Sequence, residues 1–226
     1  MLTVDDVTQL YVKHHEQLRE VREEQRALLR ARPGMRAQLD DIEAEVTYLL
    51  LRDRRPTTVV EIGSLHGWST SWQLRALRDN GAGALHTYDI VDHARRNVPD
   101  ELADRWTFTQ GDVRTRRLPS TVDYLFLDAA HSARFARWYT RALLPTLDPG
   151  TPVSVHDVFH GRRAKPYSEG SVLLRWLRAA DTGWFTASAK RAPQTYRLVQ
   201  ECRADLGLGD PVHPGRHNPM IWFTRR

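Results

Sequence analysis

The chain has 226 residues, a formal net charge of +5 and an isoelectric point near 9.6. That length fits one α/β domain with an extension, and 41% apolar residues suffice for a proper core. A single cysteine, Cys202, excludes a disulfide framework and a thiolate metal cluster. Of the 33 basic residues only Lys13, Lys165 and Lys190 are lysine, and the arginines are spread along the chain. The densest clusters, 52–55 and 162–165, are short, which favours a solvated surface over a nucleic-acid footprint. The start, Met1-Leu2-Thr3-Val4-Asp5-Asp6, lacks the basic and apolar regions of a signal peptide. No apolar run is long enough for a bilayer span, so no membrane partner and a cytoplasmic location are expected.

Taken in chain order, residues 4–30 place Val4, Val7, Tyr11, Leu18, Val21 and Leu28 at helical spacing. Pro33-Gly34 breaks that pattern, and a second amphipathic helix is expected over about 35–51. These two helices cannot bury themselves alone. Residues 1–55 are read as a helical extension that caps the site or pairs two copies in a homodimer, and 56–226 as the main domain. From Thr58 strands and helices alternate. Strands are expected at 58–62, 85–89, 106–109, 122–127 and 152–155, with helices at 70–78, 95–103 (interrupted by Pro99) and 134–147. A helix at 171–180, a strand at 184–188, a helix near 194–206 and a final strand at 220–224 complete the chain. The alternation predicts right-handed crossovers and a mostly parallel sheet.

In such a sheet ligands bind at the carboxyl ends of strands, where the strand order reverses. The first strand runs into Glu61-Ile62-Gly63-Ser64-Leu65-His66-Gly67-Trp68-Ser69-Thr70, a glycine turn that brings bare backbone close to a ligand. Its carboxylate would repel a pyrophosphate, which points to a ligand carrying an amino group and a sulfonium. The second strand ends at Asp89, placed to accept hydrogen bonds from ribose hydroxyls. The third ends in Gln110-Gly111-Asp112-Val113, the fourth in Asp128-Ala129-Ala130-His131-Ser132, and the fifth in His156-Asp157. One acid at a strand end is usually a cap or turn residue, but a run of five such ends is harder to dismiss.

This ordered set resembles the class I S-adenosylmethionine-dependent methyltransferases over about residues 40–188. The segments 60–70, 86–89, 110–112, 123–132 and 153–158 resemble the family's successive motifs. The resemblance implies a Rossmann-like α/β fold with seven strands, parallel except for an antiparallel strand at the C-terminus. It implies S-adenosylmethionine as cofactor. Glu61 and Gly63 would line its methionine part, Asp89 would hold the ribose, Asp112 would meet the adenine amino group and Val113 the ring. Ser64, Gly67, Ser69, Gly111 and Asp128 complete the implied cofactor site. Gly67 also reads as a helix–strand packing residue and Ser69 as a helix cap.

Asp128-x-x-His131 with His156-Asp157 resembles the metal-dependent O-methyltransferases of the catechol and macrolide-sugar type. By that resemblance Asp128, His156 and Asp157 hold Mg²⁺ or another divalent cation, and His131 is the general base, with His156 a second candidate. His156 departs from the oxygen donors that Mg²⁺ prefers and favours a softer metal or none. A metal-free reading stands beside it: Asp128 caps a helix and His156 packs under a loop. The implied reaction is O-methylation of a small-molecule hydroxyl in bacterial natural-product or antibiotic metabolism. N- or C-methylation, or hydroxylase- or cyclase-like chemistry on the same fold, are the alternatives. The place of an Asp-Pro-Pro-Tyr nucleobase motif reads Asp128-Ala129-Ala130-His131, Cys202 lies too late for a cytosine nucleophile, and Gly-x-Gly-x-x-Gly is absent. Those three facts argue against nucleic-acid methylation and dinucleotide chemistry. The stretches 159–170 and 212–218 are expected to form loops beside the acceptor.

Overall fold

A computed structural model describes residues 1–159, 161–213 and 219–226. His160 and residues 214–218, parts of the two expected acceptor loops, lie outside the described residues. Helix α1 spans Val4–Ala31 and bends at His14, where φ and ψ leave the helical region. Thr3 and Asp6 form a capping box at its start. Helix α2 spans Asp41–Arg54, starting later than the apolar pattern suggests, because Asp40 and Glu43 supply a second capping box.

The alternating units follow. Strand β1 is Thr58–Ile62, helix α3 Trp68–Asn80 and strand β2 Ala84–Asp89. The next helical stretch splits as Pro99 requires, into the short helix α4, Ala94–Asn97, and a 3₁₀ turn at Asp100–Arg105. Strand β3 is Trp106–Gln110 and strand β4 Tyr124–Leu127. Strand β4 starts two residues later than expected, since the Asp123 carboxylate accepts the Thr57 and Thr58 N–H groups. Helix α5, Ala133–Trp138, passes through a π turn into a 3₁₀ turn holding Pro145, so the expected long helix is broken. Strand β5 is Pro152–Val155, helix α6 Glu169–Ala179, strand β6 Trp184–Phe185, helix α7 Pro193–Asp205 and strand β7 Ile221–Thr224. Strand β6 is shorter than its pattern because the Thr186 hydroxyl donates to the Met220 carbonyl and accepts the Ser188 N–H, replacing ladder bonds.

The seven strands form one sheet in the order β3-β2-β1-β4-β5-β7-β6, and β7 runs antiparallel to both neighbours. The order reverses between β1 and β4, so that is where a ligand crevice opens. Period-two alternation divides the strand side chains between two apolar layers. Val59 of β1 joins α1, α2 and α3, while Val60 and Ile62 join α5 and α6. Helices α1 and α2 therefore share one continuous core with α3 and the sheet. A buried ion network ties α1, α2 and α7 together. Glu45 accepts from Tyr11 Oη at 2.8 Å, from Arg203 Nε at 2.7 Å and from Arg22, and Asp41 accepts from Arg203 at 3.1 Å. The Asp41 carboxylate also receives the backbone N–H groups of Val212 and His213, which fastens the late segment to the start of α2. Among the described residues no helix is long and apolar enough to cross a membrane.

Candidate active site

The glycine turn sits at the reversal. Gly63 N–H donates to the Tyr88 carbonyl at 2.8 Å, and Asp128 N–H donates to the Ile62 carbonyl at 2.9 Å. Gly63 has φ +88, and a Cβ there would lie 2.0 Å from the Asp128 carbonyl oxygen. Only glycine fits both the angle and the gap. Gly67, at φ +84, opens α3 where a Cβ would press Val98 and Ala94. Asp89 Oδ2 accepts the N–H groups of Ser64 at 2.7 Å and Leu65 at 2.8 Å, so this carboxylate pins the turn. Among the described residues its Oδ1 accepts only from the Val91 N–H, at 3.1 Å, which leaves it further acceptor capacity.

Glu61 occupies a different place. Like Val59, it points toward α3, fully buried. Its carboxylate accepts from Ser69 Oγ, Thr70 Oγ1, Gln73 Nε2 and Thr87 Oγ1 at 2.6–2.8 Å. Burial pushes its pKa up to about 7 against the pull of those hydrogen bonds. A carboxyl raised from 4.5 to about 7 contributes stability in full below 4.5, and loses it as the pH rises through 7. The loss amounts to about 3 kcal/mol. Glu61→Gln is accordingly expected to flatten that decline while lowering stability at pH 5 by about 1–3 kcal/mol, as one donor is left unpaired. Urea melts at pH 5 and 8 measure both; an unchanged slope between them would refute the assignment.

A cavity of about 530 Å³ opens beside the turn, lined by Gly63, Asp89, Gly111, Asp112, Val113, Asp128 and His131. Seven of the sequence-derived positions thus converge on one space. Leu65, Ile90, Val91 and Phe135 add apolar walls, and Ile90 stands 72% exposed at the mouth. Ser64 supports the wall through its backbone N–H to Asp89. Glu61, Gly67 and Ser69 do not line the cavity; Ser69 is buried against Glu61 instead of presenting a hydroxyl to it. The Asp112 carboxylate is engaged by Arg114 Nε at 2.9 Å from both oxygens, and these hydrogen bonds hold its pKa below the usual carboxylate range.

Two histidines and four carboxylates meet at the ends of β4 and β5. His156 Nδ1 lies 3.0 Å from Asp128 Oδ1 and 3.6 Å from Asp157 Oδ1, while its Nε2 faces Glu43 Oε2 of α2 at 3.3 Å. That last contact is at ion-pair distance, and among the described residues Nε2 has no hydrogen-bond partner. His131 Nε2 lies 3.4 Å from both Asp128 Oδ1 and Asp157 Oδ2, and its Nδ1 is 3.2 Å from Glu169 Oε2. Burial disfavours a charged His156, yet Asp128 and Glu43 outweigh it and raise the pKa well above the ordinary 6.5. His131 is raised too, burial being outweighed by Glu169, Asp128 and Asp157. For Asp128 burial pushes up, but the charge and hydrogen bond of His156, with His131, pull the pKa below 3.8. Asp128, His131 and His156 each offer a ligand atom, all within 4.8 Å of one another.

A family profile described as a methyltransferase domain matches residues 60–158. The chain carries a methyltransferase domain, dependent on S-adenosylmethionine. Among solved structures with this fold is the O-methyltransferase TomG from Streptomyces achromogenes, involved in tomaymycin synthesis, in complex with S-adenosylmethionine. It is 17% identical with a TM-score of 0.60, over 91% of this chain and 89% of TomG. Cofactor-bound Rv0187 from MTB is 18% identical with a TM-score of 0.62, over 88% of each chain. An O-methyltransferase from Bacillus cereus in complex with SAH is 15% identical with a TM-score of 0.60, over 99% of this chain and all of that one. At these identities the likeness concerns the fold. No curated protein matches the chain by sequence.

Glu43 and Glu169 are the parts of this methyltransferase's site that motif reading passes over. Glu43 belongs to an N-terminal capping box and Glu169 opens a helix behind Ser168, so each reads locally as a cap. The signal that marks them is burial: both carboxylates are at most 3% exposed, a state acids rarely enter without a partner.

Proposed function

We propose that this methyltransferase transfers the methyl group of S-adenosylmethionine to a hydroxyl of a small molecule, a natural-product scaffold in bacterial metabolism. The observation that carries the reading is that Asp128 and His131, two members of the acid–histidine cluster, line the same cavity as Asp89 and the glycine turn. The likeness to TomG, an O-methyltransferase of tomaymycin synthesis, supports the acceptor class. Asp89 Oδ1 receives a ribose hydroxyl, Ile90 and Val113 flank the adenine, and Gly63 gives the methionine part room against bare backbone.

His131 takes the hydroxyl proton on Nε2 as the acceptor oxygen attacks the methyl carbon. The carbon–sulfur bond breaks, its electron pair stays on sulfur, and S-adenosylhomocysteine leaves. The driving contribution of the protein is alignment of oxygen, carbon and sulfur. Asp128, His156 and Asp157 would supply one donor set for a divalent cation, and mixed nitrogen and oxygen donors suit Mn²⁺, Fe²⁺ or Zn²⁺ better than Mg²⁺. Such a cation, when bound, orients the acceptor's oxygens and lowers the hydroxyl pKa. The clustering of Asp128, His131 and His156 within 4.8 Å favours a second arrangement, in which His131 Nε2 is itself a ligand. Helix α2 belongs to the site in both, because Glu43 faces His156, so residues 1–55 act as its cap.

The test is methyl transfer from isotopically labelled S-adenosylmethionine to a panel of hydroxylated small molecules. Labelled methyl ethers are the expected products. Transfer only to nitrogen or carbon would overturn the hydroxyl assignment. Chelation by EDTA is expected to reduce turnover by about 10²-fold or more, with recovery on adding Mn²⁺; full turnover in EDTA refutes the metal. His131→Ala separates the two arrangements, since only a ligand role predicts a parallel loss of Mn²⁺ affinity.

A further inference from the structure

The geometry points to Glu169 as a positioning residue that fixes the tautomer of His131, leaving Nε2 as the open lone pair. Glu169 is the first residue of α6, only 3% exposed, and its Oε2 lies 3.2 Å from His131 Nδ1. A carboxylate accepts hydrogen bonds and donates none. The neutral ring of His131 has one hydrogen, and the 3.2 Å contact of Nδ1 with Glu169 is closer than the 3.4 Å contacts of Nε2 with Asp128 and Asp157, so the hydrogen is assigned to Nδ1 and the lone pair to Nε2. That nitrogen is the one 3.4 Å from Asp128 and Asp157, at the cavity that would hold the methyl donor.

The backbone supports the same arrangement. His131 adopts φ +20, held by its own N–H to the Ala129 carbonyl at 2.7 Å. Ser132 and Ser168 then pair in an isolated antiparallel bridge, which sets the residue after His131 beside the residue before Glu169. Ser168 caps α6 through Ser171 N–H, so Glu169 is fixed on a rigid helix start rather than a loop. A side chain aimed by an unusual φ, a bridge and a buried carboxylate has little freedom to turn its ring over. A histidine oriented by a carboxylate on one nitrogen is competent for proton transfer or cation ligation on the other. The inference rests on the proposed function only in assigning Nε2 something to do; the tautomer itself is independent of it.

The experiment is ¹⁵N–¹H correlation of the histidine side chains in metal-free full-length protein, without substrate. The His131 signals are identified by their loss in His131→Gln. At a pH where the ring is neutral, wild type is expected to show the proton on Nδ1. Glu169→Met removes the acceptor at similar size and is expected to shift His131 largely to the Nε2–H form. Glu169→Gln, whose carbonyl can still accept, is expected to keep the Nδ1–H form. A wild-type ring with its proton on Nε2, including the case of a protonated Glu169 donating to Nδ1, overturns the inference, and does so even if Glu169→Met fails to fold. An Nδ1–H form that survives unchanged in a folded Glu169→Met also overturns it. In the labelled-methyl assay Glu169→Met is expected to lower kcat about tenfold or more with S-adenosylmethionine affinity within twofold. If the tautomer behaves as stated and kcat does not move, the base assignment of His131 fails while the positioning role of Glu169 stands.

Discussion

Gly63→Ala is expected to remove measurable S-adenosylmethionine binding and to lower the melting temperature by roughly 5–15 °C. The added methyl would stand 2.0 Å from the Asp128 carbonyl oxygen and 2.6 Å from its carbon, both backbone atoms that cannot rotate away. Relief requires β1 and β4 to part where the sheet order reverses, which breaks the Asp128 N–H to Ile62 carbonyl bond. Alanine at φ +88 adds about 1–2 kcal/mol of backbone strain, and overpacking adds about 1–3 kcal/mol. For a chain of this size each kcal/mol is worth roughly 2–4 °C. Gly81→Ala is the matched control. It shares a positive φ, +67, but a Cβ there meets nothing within 4 Å, so it should lose a few degrees and bind cofactor normally. Calorimetric titration and scanning melts measure both variants. Gly63→Ala binding with wild-type affinity would show that the turn does not form the cofactor floor.

Gly63 and its neighbour Glu61 show why some of the site is legible in sequence and some is not. The glycine turn and Asp89 can be read because each sits at a strand end whose place is set by local alternation, and strand ends in a parallel sheet meet by topology. Asp128, His131, His156 and Asp157 are found the same way, and they do converge. Glu61 shows the limit of a motif: it lies in the right segment, but strand pleating turns its carboxylate toward α3, where four donors meet it. Asp112 reaches the cavity with its carboxylate already engaged by Arg114, two residues on. Glu43 and Glu169 arrive from elements 85 and 41 residues away from Asp128, and nothing in their neighbours signals a long-range contact. Helix boundaries near 35–40 and within 134–147 were displaced for local reasons, a capping box in one and Pro145 in the other.

Asp128→Asn carries the largest expected effect on the chemistry. Asp128 stands between two histidines, 3.0 Å from His156 Nδ1 and 3.4 Å from His131 Nε2, so its charge is the electrostatic centre of the cluster. His156 is buried and raised well above 6.5 by Asp128 first and Glu43 second. Its stabilising contribution is therefore complete below 6.5 and declines as the pH rises through its folded pKa. Asp128, held below 3.8, contributes above that value and loses its share as the pH falls through its lowered pKa. In metal-free wild type the pair is at full strength between about 4 and 6.5 and weakens on either side. Replacing the carboxylate with an amide leaves a buried imidazolium with Glu43 and the more distant Asp157, a loss at the lower end of about 3–5 kcal/mol at pH 6. His156 then gives up its proton at lower pH, so the alkaline decline should begin earlier in Asp128→Asn than in wild type. Urea melts from pH 4 to 9 on metal-free protein test this, and coincident pH profiles for the two proteins would overturn the pairing. With the labelled-methyl assay, turnover of Asp128→Asn should fall about 10³-fold, because a proposed cation ligand and the charge facing His131 are lost together. S-adenosylmethionine affinity should change far less, since Asp89 and the glycine turn are untouched. That split between binding and turnover is what a site with a donor half and an acceptor half requires.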